Sequence, residues 1–595
     1  APSVPGLDAT FQPELRPSDP RHADFQSNGA IAAAKKAKAN PRALATALVD
    51  AVKATGELDE SLIQVEVAGP GFINFKLTPK ALGSWLSEYR DESKWRAGAA
   101  RIMGGRKVVI DYPSPNTAKQ MHVGHLRPIV IGEAVARLIE FCGAQLIRDN
   151  HIGDWGTRLI EFCGAQLIRD NHIGDWGTNF GILILAIKRA GFQLDAKSPT
   201  ALEDLERLYK EGSILTKADP AQLDAARAEL ARLQQGDATS LALWTEIVAV
   251  SNAACQRIYD QFGLKTDVIL GESFYRDKVD QVYTELQSAG LAEESEGALV
   301  MWCDEEPRFS RHAETKMPFI VRKKDGSSNY ASTDLATLLY RTEHFQADEI
   351  VYVTDGRQQD HFQQLFLNGA KWFKATNRKL PRLRHVWFGT ILGEDGKAIK
   401  TKSGDPVRLQ ALIDEATERA FAAVTEKNPD LPEAERQAIA KAIGVAALRY
   451  VDLSSNRTMD YSFSWTKLLA FEGNTAPYLM YAVVRVRSIF RKNGIEPGQG
   501  EAGATDPETP TEVALARKLL GFTAALDQSL EDLRPHHLCT YLHELAAAYG
   551  AFYAADSVLV DDPAVKARRL MLCARTCAIM ECGLRLLGIE PVERM

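Results

Sequence analysis

Lys107–Asp111 reads KVVID, and behind it stand Tyr112-Pro113-Ser114-Pro115-Asn116 and then Met121-His122-Val123-Gly124-His125. The first is a short apolar run of the kind that fills a buried parallel strand. The second is a Pro-rich turn, and the third opens a helix predicted from about 123 to 141. Strand, turn and helix in that order begin a nucleotide-binding βαβ unit. Two His flanking a Gly at a helix start suit an ATP phosphate and ribose. The helix end offers unpaired N–H groups and positive potential, and Gly lets the backbone come close. Taken alone, HxGH is a weak signal that fits a helix-capping His better.

Working outward, the first 100 residues read as a small α/β unit. Residues 30–38 and 42–54 have helical composition, with Pro41 suited to a helix start. Residues 62–67 and 72–77 read as two strands around the turn Gly69-Pro70-Gly71. Residues 186–288 are Ala-, Leu- and Glu-rich and read as helical, an insertion spanning about 186–300. Residues 349–354 and 385–392 read as further apolar strands, and from 412 onward the pattern is helical. The domains expected are therefore 1–100, 101–410 and 411–595.

Residues 137–157 read RLIEFCGAQLIRDNHIGDWGT, and residues 158–178 repeat them letter for letter. Two identical copies are not a solenoid, which needs several drifting repeats. One strand slot now has two equal candidates. Active sites of parallel α/β sheets lie at the carboxyl ends of the strands, so surplus chain is tolerated best at the opposite end. The expectation is that the helix runs through the first RLIEF and that roughly 143–163 loop out. Residues 166–177 of the second copy then fill the strand.

Composition narrows the class. The chain has 595 residues, 45% hydrophobic and 25% charged, with 71 Lys+Arg against 78 Asp+Glu and a net charge of -7. This is globular usage and excludes a disordered or collagenous chain. Any surface for a polyanion must be local. The eight Cys form no CxxC pair, and Cys573, Cys577 and Cys582 read as reduced core thiols, with no metal site. No run approaches 18 apolar residues and residues 1–16 lack a signal pattern, so a soluble cytoplasmic protein is expected.

A second chemistry-bearing piece is Gly396-Lys397-Ala398-Ile399-Lys400-Thr401-Lys402-Ser403-Gly404. Mobile ammonium groups in a Gly-flanked loop after an apolar strand could neutralise a leaving pyrophosphate. The two pieces stand in the order that one fold requires. With Ser114–Lys119 they resemble the HIGH motif and a degenerate KMSKS loop of class I aminoacyl-tRNA synthetases, in the arginyl-tRNA synthetase form. VEVAGPGFINF at 65–75 resembles the end of that family's N-terminal domain. NHIGDWG at 171–177, and its twin at 150–156, resembles the motif after the second catalytic strand. Ala447-Leu448-Arg449-Tyr450 and FEGNTAPY at 471–478 resemble its helical anticodon-binding domain.

The resemblance implies a Rossmann-like α/β class I catalytic core with a small N-terminal α/β domain and an all-α C-terminal domain. It implies arginine–tRNA ligation: L-arginine and ATP, with Mg2+, give arginyl-adenylate and pyrophosphate, and arginine then passes to the 3′ end of tRNA(Arg). Adenylate formation would require bound tRNA. It places Asp111, Ser114 and Asn116 at the α-amino and carboxylate end of arginine, and Glu272 and Asp334 at the guanidinium. Tyr330 would pack on the substrate, Gln358 would make a further contact, and His172, Asp175 and Trp176 would reach the site. A planar cation with five donors does call for paired carboxylates and an aromatic face. His122, His125, Lys119, Lys400 and Lys402 would be catalytic, with Gly124 and Ser403 also on the nucleotide. Ile399 replaces the loop's first Lys, and Lys119 stands where the family restores that charge.

An acidic protein that binds tRNA must segregate its charge. Arg485, Arg487, Arg491 and Lys492 crowd one C-terminal segment beside Tyr478 and Tyr481, and Lys566, Arg568 and Arg569 crowd another. The partners expected are tRNA(Arg) and arginine, with no DNA, no membrane and a monomeric state. The competing reading is a synthetase-like tRNA-binding protein, catalytically impaired by its duplicated strand. A nucleotidyltransferase using HxGH on another substrate conflicts with the anticodon-domain motifs.

Overall fold

The computed structural model describes residues 4, 7, 10–19, 22–113, 115, 118–149, 178–195, 198, 200–267, 270, 272–324, 326–397, 399 and 406–595. The N-terminal unit is an antiparallel sheet of order β1-β2-β4-β3, formed by β1 (Leu15–Pro17), β2 (Phe25–Ser27), β3 (Ile63–Ala68) and β4 (Phe72–Leu77). The helices Gly29–Ala37 and Pro41–Ala54 cover it, with Ala30, Ala45, Val49 and Ile73 between them. The two strands read from sequence are β3 and β4. The short β1 and β2 lack an alternating pattern long enough to read.

The central sheet begins with β5 (Lys107–Asp111) and β6 (Gln145–Asp149), which pair in parallel. Between them the chain makes a single 3-10 turn, Val123–His125, and the helix Leu126–Phe141. The insertion contributes the helices Thr178–Ala190, Ala201–Ala218, Pro220–Gln234 and Ala238–Gln261. They enclose a separate core around Leu205, Trp244 and Ile247. An antiparallel sheet of β7 (Glu293–Ser295), β8 (Ala298–Met301) and β9 (Phe319–Arg322) follows. After the helix Tyr330–Glu343, β10 (Glu349–Tyr352) and β11 (Arg382–His385) complete the order β11-β10-β5-β6. Every pair in this sheet is parallel. Val108, Val109, Ile110, Ile350 and Val351 are sealed from solvent, as a sheet covered on both faces demands.

The direction of strand addition reverses between β5 and β10, so the crevice at their carboxyl ends is the topological switch point. Two residues of β12 (Ile391–Leu392) pair with β13 (Tyr461–Ser462), and the remaining C-terminal chain is helical. Nearly every residue of Leu126–Phe141 is buried, because the helix lies between the sheet and the C-terminal helices. The seven described cysteines, Cys573, Cys577 and Cys582 among them, are buried free thiols.

The duplication resolves differently from expectation. The helix does run through the first RLIEF to Phe141, but Gln145–Asp149 of the first copy, and not the second, pairs with β5. The reason is the three-residue turn Cys142-Gly143-Ala144. Gly143 adopts φ 96°, Ala144 N–H closes on Ile139 O, and Cys142 O accepts from Met103 N–H. A Cβ on Gly143 would stand 3.0 Å from the Ala100 backbone, so the turn is packed onto the preceding helix. Looping out at that point would sacrifice a closed, well-packed turn. Arg148 then pairs back to Glu140 at 2.5 Å, and its N–H donates to Asp267 at 3.0 Å. His172, Asp175 and Trp176 lie outside the described residues, as do Ser114, Asn116, Lys400, Lys402 and Ser403.

Candidate active site

His122 ends an extended segment and caps the turn Val123–His125. Its Nδ1 accepts from Gly124 N–H at 3.1 Å, and its own N–H donates to His125 Nδ1 at 3.1 Å. The rings lie 4.1 Å apart. Both Nδ1 atoms therefore accept, which places the proton of each neutral ring on Nε2. A Cβ on Gly124 would come within 2.8 Å of the His122 ring, so only Gly lets that ring fold over the turn. Burial, assisted by His122, pushes His125 down to about 3. Burial, then the charges of Lys119 and Arg357, lowers His122. The pair is thus two neutral donors at the switch point, while the sequence alone left their protonation open.

The chain that follows the lysine loop is stitched to this turn. Val123 N–H donates to Val407 O at 2.8 Å, and Leu409 N–H to Met121 O at 2.9 Å, with His122 bridged to Arg408. Before the loop, Gly393 N–H donates to Lys397 O at 2.7 Å, and Ile399 packs against the main core. The HxGH turn and the chain at 407–409, far apart in sequence, are therefore adjacent. Lys119 is exposed, with Nζ 5.0 Å from the centre of the Tyr209 ring on the insertion. Arg357, which sequence reasoning did not single out, adds a second positive charge beside His122. Its guanidinium is held in two hydrogen bonds by Asp355, at 2.8 and 3.0 Å. The polar run after the apolar β10 was the available signal.

Of the expected amino-acid residues, the described Asp111, Tyr330, Asp334 and Gln358 stand on or beside β5, β10 and the helix Tyr330–Glu343. Asp111 ends β5, and its Oδ2 accepts from Nη2 of the fully buried Arg341 at 2.8 Å. Arg341 lies 5.2 Å from the centre of the Tyr352 ring. Asp334 stands two turns before Arg341 on the same helix, so both side chains leave one face. Asp334 Oδ2 is bonded to His361 Nε2 at 2.5 Å. Tyr330, at the helix start, is 70% exposed, and Gln358 is exposed on the Gly356–Gln358 turn. Glu272 begins the short helix Glu272–Tyr275, which meets the Asp334 helix through Phe274 and Tyr340, 5.1 Å apart. Neither Arg341 nor His361 was visible in the sequence, because each partner is remote along the chain.

In the C-terminal domain the basic residues separate into two kinds. Arg485 lies between the exposed rings of Tyr481 and Tyr553, at 4.9 and 5.7 Å, and donates to the Tyr481 hydroxyl at 3.1 Å. Arg491 is exposed, with one bond to Glu593 O. Tyr478 is half-buried against His543. Arg487, by contrast, is mostly covered and paired with Glu581 and Glu593, each at 2.7 Å. Arg568 and Arg569 are bound to Glu512 at 2.9 and 2.8 Å. Neutralised and largely buried, these three are structural.

The family model "Arginyl tRNA synthetase N terminal domain" matches residues 5–77, and "tRNA synthetases class I (R), catalytic domain" matches 93–159 and 157–465. "DALR anticodon binding domain" matches 479–595. The chain belongs to the arginyl-tRNA synthetase family. The two catalytic pieces of this synthetase meet inside the duplication. An arginine–tRNA ligase of Laribacter hongkongensis is 42% identical over 98% of the chain and 96% of its own length. The crystal structure of arginyl-tRNA synthetase from Plasmodium falciparum superposes with a TM-score of 0.75 at 25% identity, covering 98% of this chain and 94% of that one. The Thermus thermophilus arginyl-tRNA synthetase shares the fold, with a TM-score of 0.75 at 24% identity over 98% and 96% of the two chains. The synthetase has, among its described residues, no helix long and apolar enough to cross a membrane.

Proposed function

We propose that this chain joins arginine to tRNA(Arg) at the crevice between β5 and β10, with the division of labour that follows. The chain is an arginine–tRNA ligase of class I, and ATP is its substrate. Relatedness along the whole length to ligases does not favour the impaired, tRNA-binding reading. An arginine carboxylate oxygen attacks the α-phosphorus, the bond to the β-phosphate oxygen breaks, and pyrophosphate leaves. The terminal ribose hydroxyl of tRNA then attacks the activated carbonyl and AMP departs. Catalysis consists of orientation and of stabilising charge on phosphate.

The observation that carries this reading is the stitching of Val123 to Val407, which sets the HxGH turn beside the chain that leaves the lysine loop. His122 and His125, as neutral donors, would offer Nε2–H to phosphate and ribose oxygens, while Gly124 admits the nucleotide. Lys119, Lys400 and Lys402 would supply the charge for the leaving pyrophosphate, with Ser403 beside them. Asp111, steadied by Arg341, would hold the α-amino group, with Ser114 and Asn116 at the carboxylate end. Asp334 and Glu272 would receive the guanidinium, with Tyr330 and Gln358 bordering it, and His172, Asp175 and Trp176 would complete the site. No group of three His, Cys, Asp or Glu among the described residues is disposed to hold a metal. Mg2+ would accompany ATP and would supply charge screening for its phosphates. Tyr478, Tyr481, Arg485 and Arg491 would meet the anticodon arm. ATP–pyrophosphate exchange, with arginine and with or without tRNA, tests the scheme. Arginine- and tRNA-dependent exchange is expected, and absence of exchange under both conditions would overturn it.

A further inference from the structure

We propose that His361 is the positioning residue of the guanidinium subsite, fixing the Asp334 carboxylate in the orientation that receives arginine. This rests on the reading of Asp334 given above. A guanidinium presents its donors in a rigid plane, so the carboxylate that meets it must have a defined plane of its own. Asp334 sits on a helix facing the crevice, with 18% of its side chain exposed, and among the described residues no neighbour on its own helix bonds its carboxylate. His361 supplies the restraint. Its Nε2 stands 2.5 Å from Asp334 Oδ2, and it is the hydrogen-bond partner of that carboxylate among the described residues.

The imidazole is itself held. Phe319 of β9 lies 5.8 Å from it and Phe362 meets it edge-on at 5.4 Å. Phe362 in turn rests on His385, 4.5 Å away, whose Nε2 is 2.7 Å from the Thr354 hydroxyl. A wall from three separate elements thus sets the ring, and the ring sets one carboxylate oxygen. The same arrangement recurs at the other end of the pocket, where buried Arg341 holds one oxygen of Asp111. Asp111 and Asp334 are thus each anchored by a basic side chain from another element before substrate arrives, which lowers the ordering cost of binding.

The test is steady-state ATP–pyrophosphate exchange by the full chain with tRNA present, varying arginine and ATP separately. His361→Leu removes the donor, and His361→Gln places an amide N–H where Nε2 stood. His361→Leu should raise the arginine KM tenfold or more, leave the ATP KM within twofold, and be largely rescued by His361→Gln. In an Asp334→Asn background His361→Leu should add little, because the histidine acts through that carboxylate. An unchanged arginine KM in His361→Leu, or equal effects of His361→Leu with and without Asp334→Asn, would overturn the proposal. If Asp334→Asn itself leaves the arginine KM unchanged, the guanidinium reading fails instead. Should His361→Leu not fold, His361→Asn, whose amide is too short to reach, takes its place in the same comparison.

Discussion

Arg127 and Asp452 meet at 2.8 Å, and neither side chain has more than 1% of its surface in water. Arg127 lies two residues beyond the HxGH turn, and Asp452 lies near the end of the helix Glu433–Leu453. Arg127 also donates to Met459 O at 3.2 Å, just ahead of β13. Because β13 pairs with β12, and β12 leads into the lysine loop, one buried pair ties the turn to the strand that delivers that loop.

Removing one partner should cost far more than removing both. Asp452→Leu leaves a buried guanidinium unpaired and should destabilise the chain by about 3–5 kcal/mol. Adding Arg127→Met should recover much of that loss. Urea denaturation of the two variants checks this, and a double variant worse than the single one would contradict it.

His125 should make the chain acid-labile. Its folded-state value of about 3 lies below the ordinary 6.5. Between those limits the unfolded chain binds a proton that the folded chain refuses. Stability therefore falls as pH drops, by up to about 1.4 kcal/mol per pH unit from this one group. His125→Asn keeps an acceptor for the His122 N–H and removes the titration. Its denaturation free energy should change less between pH 6.5 and 5, and identical slopes would refute the assignment.

Lys119 should act in activation. Lys119→Ala is expected to lower kcat of adenylate formation ~10–100-fold, the size of a lost charged hydrogen bond, with tRNA affinity nearly unchanged. Filter binding and pyrophosphate exchange on the same variant separate these effects. A loss of tRNA affinity with intact activation would make Lys119 a nucleic-acid contact.

Arg485 and Arg487, two residues apart, should behave differently. Arg485→Ala should weaken tRNA binding and lower the slope of log K against log salt by about 0.7–0.9. Arg487→Ala should leave that slope alone and lower the melting temperature, since its charge is already spent on Glu581 and Glu593. Equal slopes for Arg485→Ala and parent would remove Arg485 from the tRNA surface.

Much of the site was legible because its chemistry needs local backbone patterns. A Gly between two His at a helix start and lysines flanked by Gly each declare a conformation as well as a charge. The strand β5 and the helix behind it were legible for the same reason, through apolar runs and turn residues in fixed order. What stayed hidden were the long-range partners: Arg341 for Asp111, His361 for Asp334, Arg127 for Asp452. Nothing near a buried basic residue in sequence distinguishes it from an exposed one, which is also why Arg487 and Arg568 read like Arg485 and Arg491.

The sequence by itself determined the βαβ opening, the order of the two signature segments and the family they resemble, since each depends on residues adjacent in the chain. Only the tertiary structure decided which identical copy pairs with β5, because two equal sequences differ in nothing but their surroundings. The first copy is reached through a turn already closed onto Ala100 and Met103. The protonation of His122 and His125 was likewise decided only there, since burial and neighbouring charge belong to the assembled crevice and to no single segment.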